Sequence, residues 1–308
     1  MAPGTACPAL VGPTAVGKTA LVTALARRVP LEVISLDSRQ VYHGLRIGTA
    51  QPTSAERAVC PHHLIDFLSP RATYDAQRFR ADFVRVHGEI TARGGVPILV
   101  GGTGLYLTGL REGFMTIPGH SPASLAAVRA ELEPLPADEI RRRLAAADPA
   151  SHARIHPNDR YRSQRALEIF LVSGRTMTDL TASQEPDPAL GLTFPAFVLA
   201  RPVPDLDARI AARTAAMLGS GWIEETEAAL TAHADDSPGL QTIGYREIVA
   251  WKRGELARDD LAPAIVLATR QYAKRQRTMF RHLAREGTWS PDDPALLGRL
   301  VARLGGST

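Results

Sequence analysis

Short apolar runs alternate with an amphipathic helical segment along the first part of the chain. Strand candidates lie at residues 7–11, 32–36 and 96–100. Residues 75–93 place their large apolar side chains at helical spacing between the last two of these runs. Short, fully apolar strands separated by helices are typical of a parallel sheet covered on both faces. The pattern therefore predicts an α/β fold.

The pattern changes over residues 111–190, which are rich in Ala, Arg and Leu at helical spacing and contain many prolines. We interpret this stretch as a mainly helical insertion. Residues 194–199 are again apolar and are a candidate for a further strand of the sheet. Helices are then expected at residues 205–232, 240–253 and 260–285.

A glycine-rich segment follows the first strand candidate and precedes a helix-prone run. Its residues fit the phosphate-binding pattern G-x-x-x-x-G-K-[ST] at every position: Gly12, Pro13, Thr14, Ala15, Val16, Gly17, Lys18 and Thr19. Backbone N–H groups and a helix N-terminus attract a polyphosphate in such a loop. Lys18 is expected to reach the outer phosphate, and the Thr19 hydroxyl to bind Mg²⁺. The alternative is a turn that binds no ligand, and the loop alone does not identify the phosphorylated molecule.

Three segments are expected to meet at one edge of the sheet. Asp37 and the Gly101–Gly102–Thr103 segment each follow a strand candidate, as the segment 12–19 does. Ligands of parallel sheets bind at the carboxyl ends of the strands. The predicted fold is a P-loop NTPase-like parallel sheet flanked by helices, built from residues 1–110 and 191–308, with residues 111–190 as a helical insertion domain.

Asp37 ends its apolar strand candidate and has three possible roles. It can bind Mg²⁺ as in many NTPases, act as a general base, or cap the following segment. Arg209 and Arg213 are four residues apart and share a helix face, which suits either a departing diphosphate or solvent. Asp66 is a weaker strand-end candidate.

The composition is that of a globular protein, with 308 residues, 44% hydrophobic and 22% charged. No apolar run approaches the ~20 residues that span a bilayer, and no secretory signal is visible. Two cysteines do not make a disulfide framework, so a cytosolic location is expected. Cys60, His62 and His63 lack a second ligand pair, so no metal is assigned to them.

Positive charge is concentrated in two runs, although the net charge is only +4. Residues 270–285 contain six Lys or Arg and no acid up to Arg285, and residues 139–165 carry seven arginines against three acids. Such clusters are typical of nucleic-acid surfaces, whereas a single basic run is more often a solvated helix face. Aromatic residues among them, such as Tyr272, suit stacking on unpaired bases or burial in the core.

Several segments together resemble the tRNA dimethylallyltransferases. They are GPTAVGKT at 12–19, DSRQVY at 37–42, RIGTAQP at 46–52, PHHLID at 61–66, GGTGLY at 101–106, Asn158-Asp159 with RALE at 165–168, QTIGYRE at 241–247 and TRQYAKRQRTMFR at 269–281. They occur in order over most of residues 7–281. Met279 departs from the family pattern, which often has tryptophan there.

The resemblance implies transfer of a prenyl group without nucleotide hydrolysis. Dimethylallyl diphosphate would donate its dimethylallyl group to N6 of the adenosine 3′-adjacent to the tRNA anticodon, and diphosphate would leave. The implied catalytic residues are Asp37 as base, with Thr19, Lys18 and Arg213. The implied diphosphate site comprises residues 12–19 with Arg209 and Arg213. Mg²⁺ on Thr19 is the implied cofactor.

The resemblance also implies residues that contact the anticodon stem-loop of tRNA. They are Asp37, Ser38, Arg39, Gln40, Thr103, Arg129, Tyr161, Arg162, Ser163, Gln164, Arg165, Thr242, Ile243, Gly244, Tyr245, Arg246, Glu247, Arg270, Lys274 and Arg275. We expect a monomer with no membrane partner. Whether ATP binds the loop is left open. The alternatives are a P-loop kinase of small molecules or nucleotides, an RNA-remodelling NTPase, and prenylation of free adenine nucleotides.

Overall fold

A six-stranded parallel sheet dominates the part of the chain that the computed structural model describes, namely residues 5–185, 191–283 and 287–305. The strands are β1 (Thr5–Ala6), β2 (Ala9–Val11), β3 (Leu31–Leu36), β4 (His62–His63), β5 (Val96–Gly101), β6 (Leu192–Thr193), β7 (Ala196–Leu199) and β8 (Thr288–Trp289). Their order in the main sheet is β4-β3-β5-β2-β7-β8, and β1 pairs with β6 alone. All of these pairings are parallel, as the alternation of strands and helices predicts.

Helices follow most of the strands. They are α1 (Lys18–Ala26), α2 (Ser54–Val59), α3 (Ala76–Ala92), α4 (Gly104–Glu112), α5 (Pro122–Leu132), α6 (Ala137–Ala147), α7 (Pro149–Arg154), α8 (Arg160–Ser173), α9 (Met177–Ala182), α10 (Val203–Gly219), α11 (Trp222–Ala232), α12 (Tyr245–Lys252), α13 (Arg258–Leu283) and α14 (Pro294–Arg303). None of the helices in the described ranges is long and apolar enough to cross a membrane.

Contacts divide the chain into two compact units, Met1–Arg111 with Pro188–Thr308, and Glu112–Asp187. The helical insertion was predicted over 111–190. Residues 186–190, at the C-terminal end of that prediction, lie outside the described residues. The smaller unit contains α5 to α9. Leu132, Ile140 and Leu167 form one of its buried apolar clusters. It is helical, as the periodicity predicts.

The core of the larger unit lies between the sheet and its helices. Leu10 and Ile98 on adjacent strands are fully buried and pack in one cluster with side chains of α1, α10, α13 and α14. The helix predicted at 75–93 is α3, and its buried face carries the apolar residues at helical spacing. The α/β fold with a parallel sheet and a helical insertion is therefore confirmed.

Proline interrupts two strands that the apolar pattern presents as continuous. The candidate at 7–11 forms a strand only at Ala9–Val11, after Pro8, and the candidate at 194–199 begins only at Ala196, after Pro195. Proline has no N–H to donate to the ladder. The carbonyl of Pro8 still accepts from the N–H of Leu99, and that of Pro195 from Ala9. Apolar character alone thus overestimated the length of both strands.

Candidate active site

The segment 12–19, called the phosphate loop below, joins β2 to the N-terminus of α1. Ala15 and Gly17 lie in the left-handed region, with φ of 63° and 112°. Gly17 tolerates this conformation without strain because it has no Cβ, whereas Ala15 needs support from its surroundings. A Cβ on Gly12 would lie 2.8 Å from the carbonyl oxygen of Leu199, so the start of the loop also requires glycine.

Cationic side chains bind four carbonyl oxygens of the phosphate loop. Arg209 Nε donates to the carbonyl of Ala15 and Arg201 Nε to that of Val16, both at 2.9 Å. Lys18 Nζ donates to the carbonyls of Gly12 and Pro13 at 2.9 and 3.0 Å. The N–H of Thr14 is bound by Gln276 and that of Val16 by the carbonyl of Pro13, so an anion would be bound by the other N–H groups of the loop.

Arg209 and Arg213 project from α10 onto the phosphate loop rather than into solvent alone. Arg213 donates from its guanidinium to the Thr14 hydroxyl. Burial lowers the pKa of Arg213, and the charge of Asp37 opposes that shift. An arginine stays protonated at neutral pH nevertheless, so Arg213 supplies a poorly hydrated positive charge beside the loop. This placement suits the predicted role at a diphosphate, which stays a prediction.

Lys18 adds a further positive charge at the loop. Burial lowers the pKa of Lys18 from 10.5 to about 8, while the carboxylate of Asp37 raises it and Arg213 lowers it further. An anionic ligand would favour the charged ammonium and move the pKa back upward.

Asp37 lies at the carboxyl end of β3 and lines the same cavity as the phosphate loop. Its Oδ1 accepts the N–H groups of Arg39 and Gln40 at 2.8 and 3.2 Å. Both bonds end on Oδ1, so Asp37 caps the turn that follows β3 while its other oxygen has no hydrogen-bond partner among the described residues. Burial raises the pKa of Asp37, although these bonds and the charge of Lys18 lower it. A carboxylate with a raised pKa is a better proton acceptor.

The ends of β3 and β5 are fastened together next to Asp37. The N–H groups of Gly102 and Thr103 donate to the carbonyl of Leu36 at 3.1 and 3.0 Å. The Thr103 hydroxyl accepts the N–H of Ser38 at 3.1 Å. Thr103 therefore supports the backbone beside the carboxylate.

Gln40 is held by contacts inside the protein. Its Oε1 accepts from the Ser35 hydroxyl at 3.0 Å, and its Nε2 donates to the carbonyl of Ala50 at 2.8 Å. Arg39 is exposed and donates to the carbonyl of Pro238 at 3.3 Å. Of these two predicted RNA contacts, Arg39 is the more accessible.

One cavity of about 720 Å³, called the main cavity below, brings these groups together. Its wall includes residues 14–19 of the loop, residues 37–40, Arg209 and Arg213. The wall also includes Thr242, Ile243, Arg246 and, from α13, Tyr272, Arg275 and Gln276. The convergence expected from the strand ends is therefore present in the fold. A volume of this size holds a drug-sized ligand or an extruded nucleoside with a small diphosphate.

The predicted Mg²⁺ site fits a cation that arrives with a phosphate ligand. No group of three or more His, Cys, Asp or Glu in the described part of the chain is arranged to hold a metal, so a cage made of protein alone is not found there. Mg²⁺ usually takes one or two protein oxygens and completes its shell with phosphate and water. The exposed Thr19 hydroxyl and the Asp37 carboxylate, both on the main cavity, are such oxygens.

The segment 242–247 divides between the cavity wall and the core. Arg246 is exposed at the cavity, and its Nε donates to Glu247 at 2.7 Å. Tyr245 is fully buried, and its hydroxyl donates to Glu225. Glu247 accepts the N–H of Gly244 and so caps α12. Their RNA contacts stay predictions, and burial favours a supporting role for Tyr245.

Two faces of α13 carry its basic residues. Arg275 lines the main cavity, with its guanidinium 5.9 Å from the centre of the Tyr272 ring. Arg270 and Lys274 line a separate groove of about 410 Å³ beside α10. Arg270 lies 3.4 Å from Asp207 across that groove. The predicted RNA residues of α13 therefore do not share one surface.

The predicted RNA residues of the insertion lie on α5 and on the first turns of α8. Arg129, Gln164 and Arg165 all bond to the buried carboxylate of Glu168. Ser163 is buried, and its hydroxyl donates to the carbonyl of Asp159. Arg162 lies near Asp159 at 3.5 Å.

Tyr161 differs from its neighbours on α8 because 78% of its surface is exposed. An exposed aromatic ring between arginines is a platform on which an unpaired base can stack. Tyr161 is therefore the member of the set best placed for stacking.

Two residues that bond to the phosphate loop were not predicted from the sequence. Gln276 bonds to the phosphate loop from α13, and Arg201 bonds to it from the end of β7. Gln276 carried a usable signal, since it is a polar residue in the buried stripe of α13 that includes Leu261, Ile265 and Phe280. Arg201 carried none, because a single arginine after a strand has no distinguishing spacing.

Comparison with known proteins gives consistent results. The family model described as IPP transferase matches residues 40–283, and the model described as isopentenyl transferase matches residues 6–62. A curated tRNA dimethylallyltransferase from Paraburkholderia phymatum is 45% identical over 280 residues, which is 88% of this chain and 87% of the relative. One from Burkholderia thailandensis is 44% identical over 281 residues, 88% of this chain and 86% of the relative.

Solved structures are similar over most of the chain. A tRNA isopentenylpyrophosphate transferase from Staphylococcus epidermidis has a TM-score of 0.68 at 31% identity, covering 98% of this chain and 99% of the other. A eukaryotic dimethylallyltransferase acting on tRNA has a TM-score of 0.73 at 28% identity, covering 90% and 70%.

Proposed function

The chain belongs to the IPP transferase family, and on this basis we propose that it is a tRNA dimethylallyltransferase. It transfers the dimethylallyl group from dimethylallyl diphosphate to N6 of the adenosine 3′-adjacent to the tRNA anticodon, and it releases diphosphate. The observation that carries the proposal is the main cavity, whose wall contains the strand-end carboxylate of Asp37, the phosphate loop with Lys18, and Arg213 bonded to that loop. One cavity thus contains the groups needed for both parts of a substitution at an allylic carbon: a carboxylate for the proton of the attacking amine and cations for the departing diphosphate.

The proposed reaction forms one bond and breaks one. The N6 amine attacks C1 of the dimethylallyl group, and the C1–O bond breaks with its electron pair passing to the diphosphate. Asp37 accepts the proton that N6 loses, which a weakly basic exocyclic amine requires. Lys18, Arg209 and Arg213 stabilise the charge that develops on the departing diphosphate. Mg²⁺, which Thr19 would hold, would supply further charge neutralisation on the diphosphate.

The adenine of the target nucleotide must leave the base stack of the anticodon loop to reach Asp37. A nucleotide in an anticodon loop is unpaired, so its extrusion costs only a few kcal/mol. The exposed cations of the cavity rim, Arg39 and Arg246, suit contacts with the neighbouring phosphates. We propose that the enzyme acts as a monomer in the cytosol, where unmodified tRNA is available.

The family membership does not support the small-molecule kinase hypothesis. The two hypotheses share a phosphate loop and a parallel sheet, so fold alone would not separate them. Curated relatives named tRNA dimethylallyltransferase, which match most of the chain, favour prenyl transfer.

The test is incubation of the protein with labelled dimethylallyl diphosphate, Mg²⁺ and unmodified tRNA, beside reactions with ATP, GTP and free AMP. We expect label in the tRNA at the adenosine next to the anticodon, and none when that adenosine is replaced by guanosine. Release of phosphate from ATP with no label in RNA would contradict the proposal. Label in AMP rather than tRNA would assign prenylation of free nucleotides instead.

A further inference from the structure

We propose that Gln276 is a positioning residue that couples RNA binding on α13 to diphosphate binding in the phosphate loop. The inference rests on the proposed function, because it needs an RNA that binds at the main cavity. It concerns a side chain that the proposed reaction does not use.

Gln276 bonds to two segments with the two ends of its amide. Its Oε1 accepts the backbone N–H of Thr14 at 2.9 Å. Its Nε2 donates to the carbonyl of Gly102 at 2.8 Å. The side chain is 6% exposed, so water does not substitute readily for either bond. The amide thus links α13 to the phosphate loop and to the turn after β5.

Each of these two contacts continues to a predicted catalytic group. The hydroxyl of Thr14 is the acceptor of Arg213, so the residue that Gln276 fixes also fixes an arginine of the diphosphate site. Gly102 precedes Thr103, whose hydroxyl supports the N–H of Ser38 beside Asp37. The Gln276 amide therefore sets the distance between the phosphate loop, where the leaving diphosphate is proposed to bind, and the turn that carries Asp37.

The same helix faces the space where RNA is proposed to bind. Arg275 precedes Gln276 in the chain and lines the main cavity, as does Tyr272 one turn earlier. A helix turn is held rigid by its backbone hydrogen bonds, so a ligand that orders Arg275 and Tyr272 also orders Gln276. A loop ordered in advance loses less conformational entropy when diphosphate binds. RNA should therefore strengthen diphosphate binding, and Gln276 should carry that effect.

A purely structural role makes a different prediction. If Gln276 only satisfies two buried backbone groups, its loss lowers stability without changing how one ligand affects the other. The discriminating quantity is the ratio of diphosphate affinities with and without RNA.

The experiment measures binding of inorganic diphosphate with Mg²⁺ by calorimetry, with and without an unmodified anticodon stem-loop RNA. For the wild type we expect RNA to tighten diphosphate binding by roughly 5–150-fold, the usual range of coupling between sites. For Gln276→Leu, which keeps the volume and removes both bonds, the ratio should fall close to one while each ligand still binds alone. An unchanged ratio in Gln276→Leu, or a wild-type ratio of one, would overturn the inference.

Two further variants keep the test decisive. Gln271→Leu removes an exposed glutamine from the same helix and should retain the wild-type ratio. Gly102→Ala displaces the Gln276 amide without altering α13, because a Cβ at position 102 would lie 2.2 Å from Nε2. It should also lose the coupling, and it decides the outcome where thermal unfolding shows that Gln276→Leu does not fold. Titration with RNA alone reads the proposed function separately, since RNA that does not bind the wild type contradicts that function directly.

Discussion

Arg201 joins the phosphate loop to the C-terminal segment through Asp292. Its Nε donates to the Val16 carbonyl at 2.9 Å, and its Nη1 and Nη2 donate to the two carboxylate oxygens of Asp292 at 2.6 and 2.7 Å. Asp205 accepts a further bond from Nη1 at 3.0 Å. A bidentate carboxylate fixes the plane of the guanidinium and hence the direction of Nε.

Arg201→Met should weaken binding of Mg²⁺-diphosphate. The substitution removes the bond that holds the Val16 carbonyl, so the loop must be ordered by the ligand itself. A charge-assisted hydrogen bond contributes roughly 1.5–3 kcal/mol, so we expect a loss of about tenfold or more in affinity by calorimetry. Arg28→Met, at an exposed arginine after α1, is the control and should bind like wild type. Equal affinity in both variants would show that the loop does not need Arg201.

Asp37→Asn should lower kcat by roughly 10²–10⁴, the usual contribution of a general base. An amide does not accept the N6 proton but keeps the size of the side chain and an oxygen for the turn after β3. Affinity for diphosphate should change little in comparison. The readout is single-turnover prenyl transfer to tRNA. Asp66→Asn is the matched control, because Asp66 also follows a strand but pairs with Arg46. Similar rates for Asp37→Asn and wild type would exclude Asp37 as the base.

Diphosphate affinity should depend on pH through Lys18, whose pKa is lowered to about 8 by burial. The bound anion favours the ammonium, so its pKa is higher in the complex than in the free protein. Binding is therefore strongest below about pH 8 and weakens as the pH rises above it. Calorimetry across this range should be compared with Lys18→Met, which retains only the ionisation of the ligand. If the affinities of the two proteins change with pH in the same way, Lys18 does not cause the pH dependence.

Tyr161→Ala should weaken binding of the anticodon stem-loop, because stacking of one base on an aromatic ring contributes roughly 1–3 kcal/mol. Tyr161→Phe retains the ring and should bind like wild type. Fluorescence anisotropy at fixed salt measures both, and fixed salt is needed because phosphate contacts vary with ionic strength. If the alanine variant binds RNA as tightly as the phenylalanine variant, Tyr161 is not a stacking platform.

Glu225→Gln should destabilise the wall of the main cavity. Glu225 accepts the backbone N–H groups of Arg46, Ile47 and Gly48 and the hydroxyl of Tyr245. An amide replaces one acceptor by a donor, and the free energy of unfolding should fall by roughly 1–3 kcal/mol. Urea unfolding measures this against Glu224→Gln, an exposed neighbour on α11. If the two variants have the same urea midpoint, the bonds accepted by Glu225 do not stabilise the protein.

The parts of the site that are local in sequence could be predicted from it. The phosphate loop is one contiguous segment, and Asp37 follows an apolar strand, so pattern and spacing suffice for both. Arg209 and Arg213 needed only helical spacing to be paired on one face, and the structure directs both at the loop.

The rest depends on contacts between distant segments. The Thr14–Gln276 bond joins residues 262 positions apart, and no local pattern specifies such a pair. The segment 242–247 shows that proximity in sequence does not imply a shared environment. Arg246 and Tyr245 are neighbours in the chain, yet one is exposed at the cavity and the other is fully buried, because α12 packs one face into the core.

Lys18 uses two of its three ammonium N–H groups on the carbonyls of Gly12 and Pro13. The third N–H is available to a phosphate oxygen while both carbonyls keep their partner. The lysine therefore does not have to exchange its contacts within the protein for contacts with the ligand. The two carbonyls fix the ammonium in advance, which lowers the entropy that the side chain loses when a phosphate group binds.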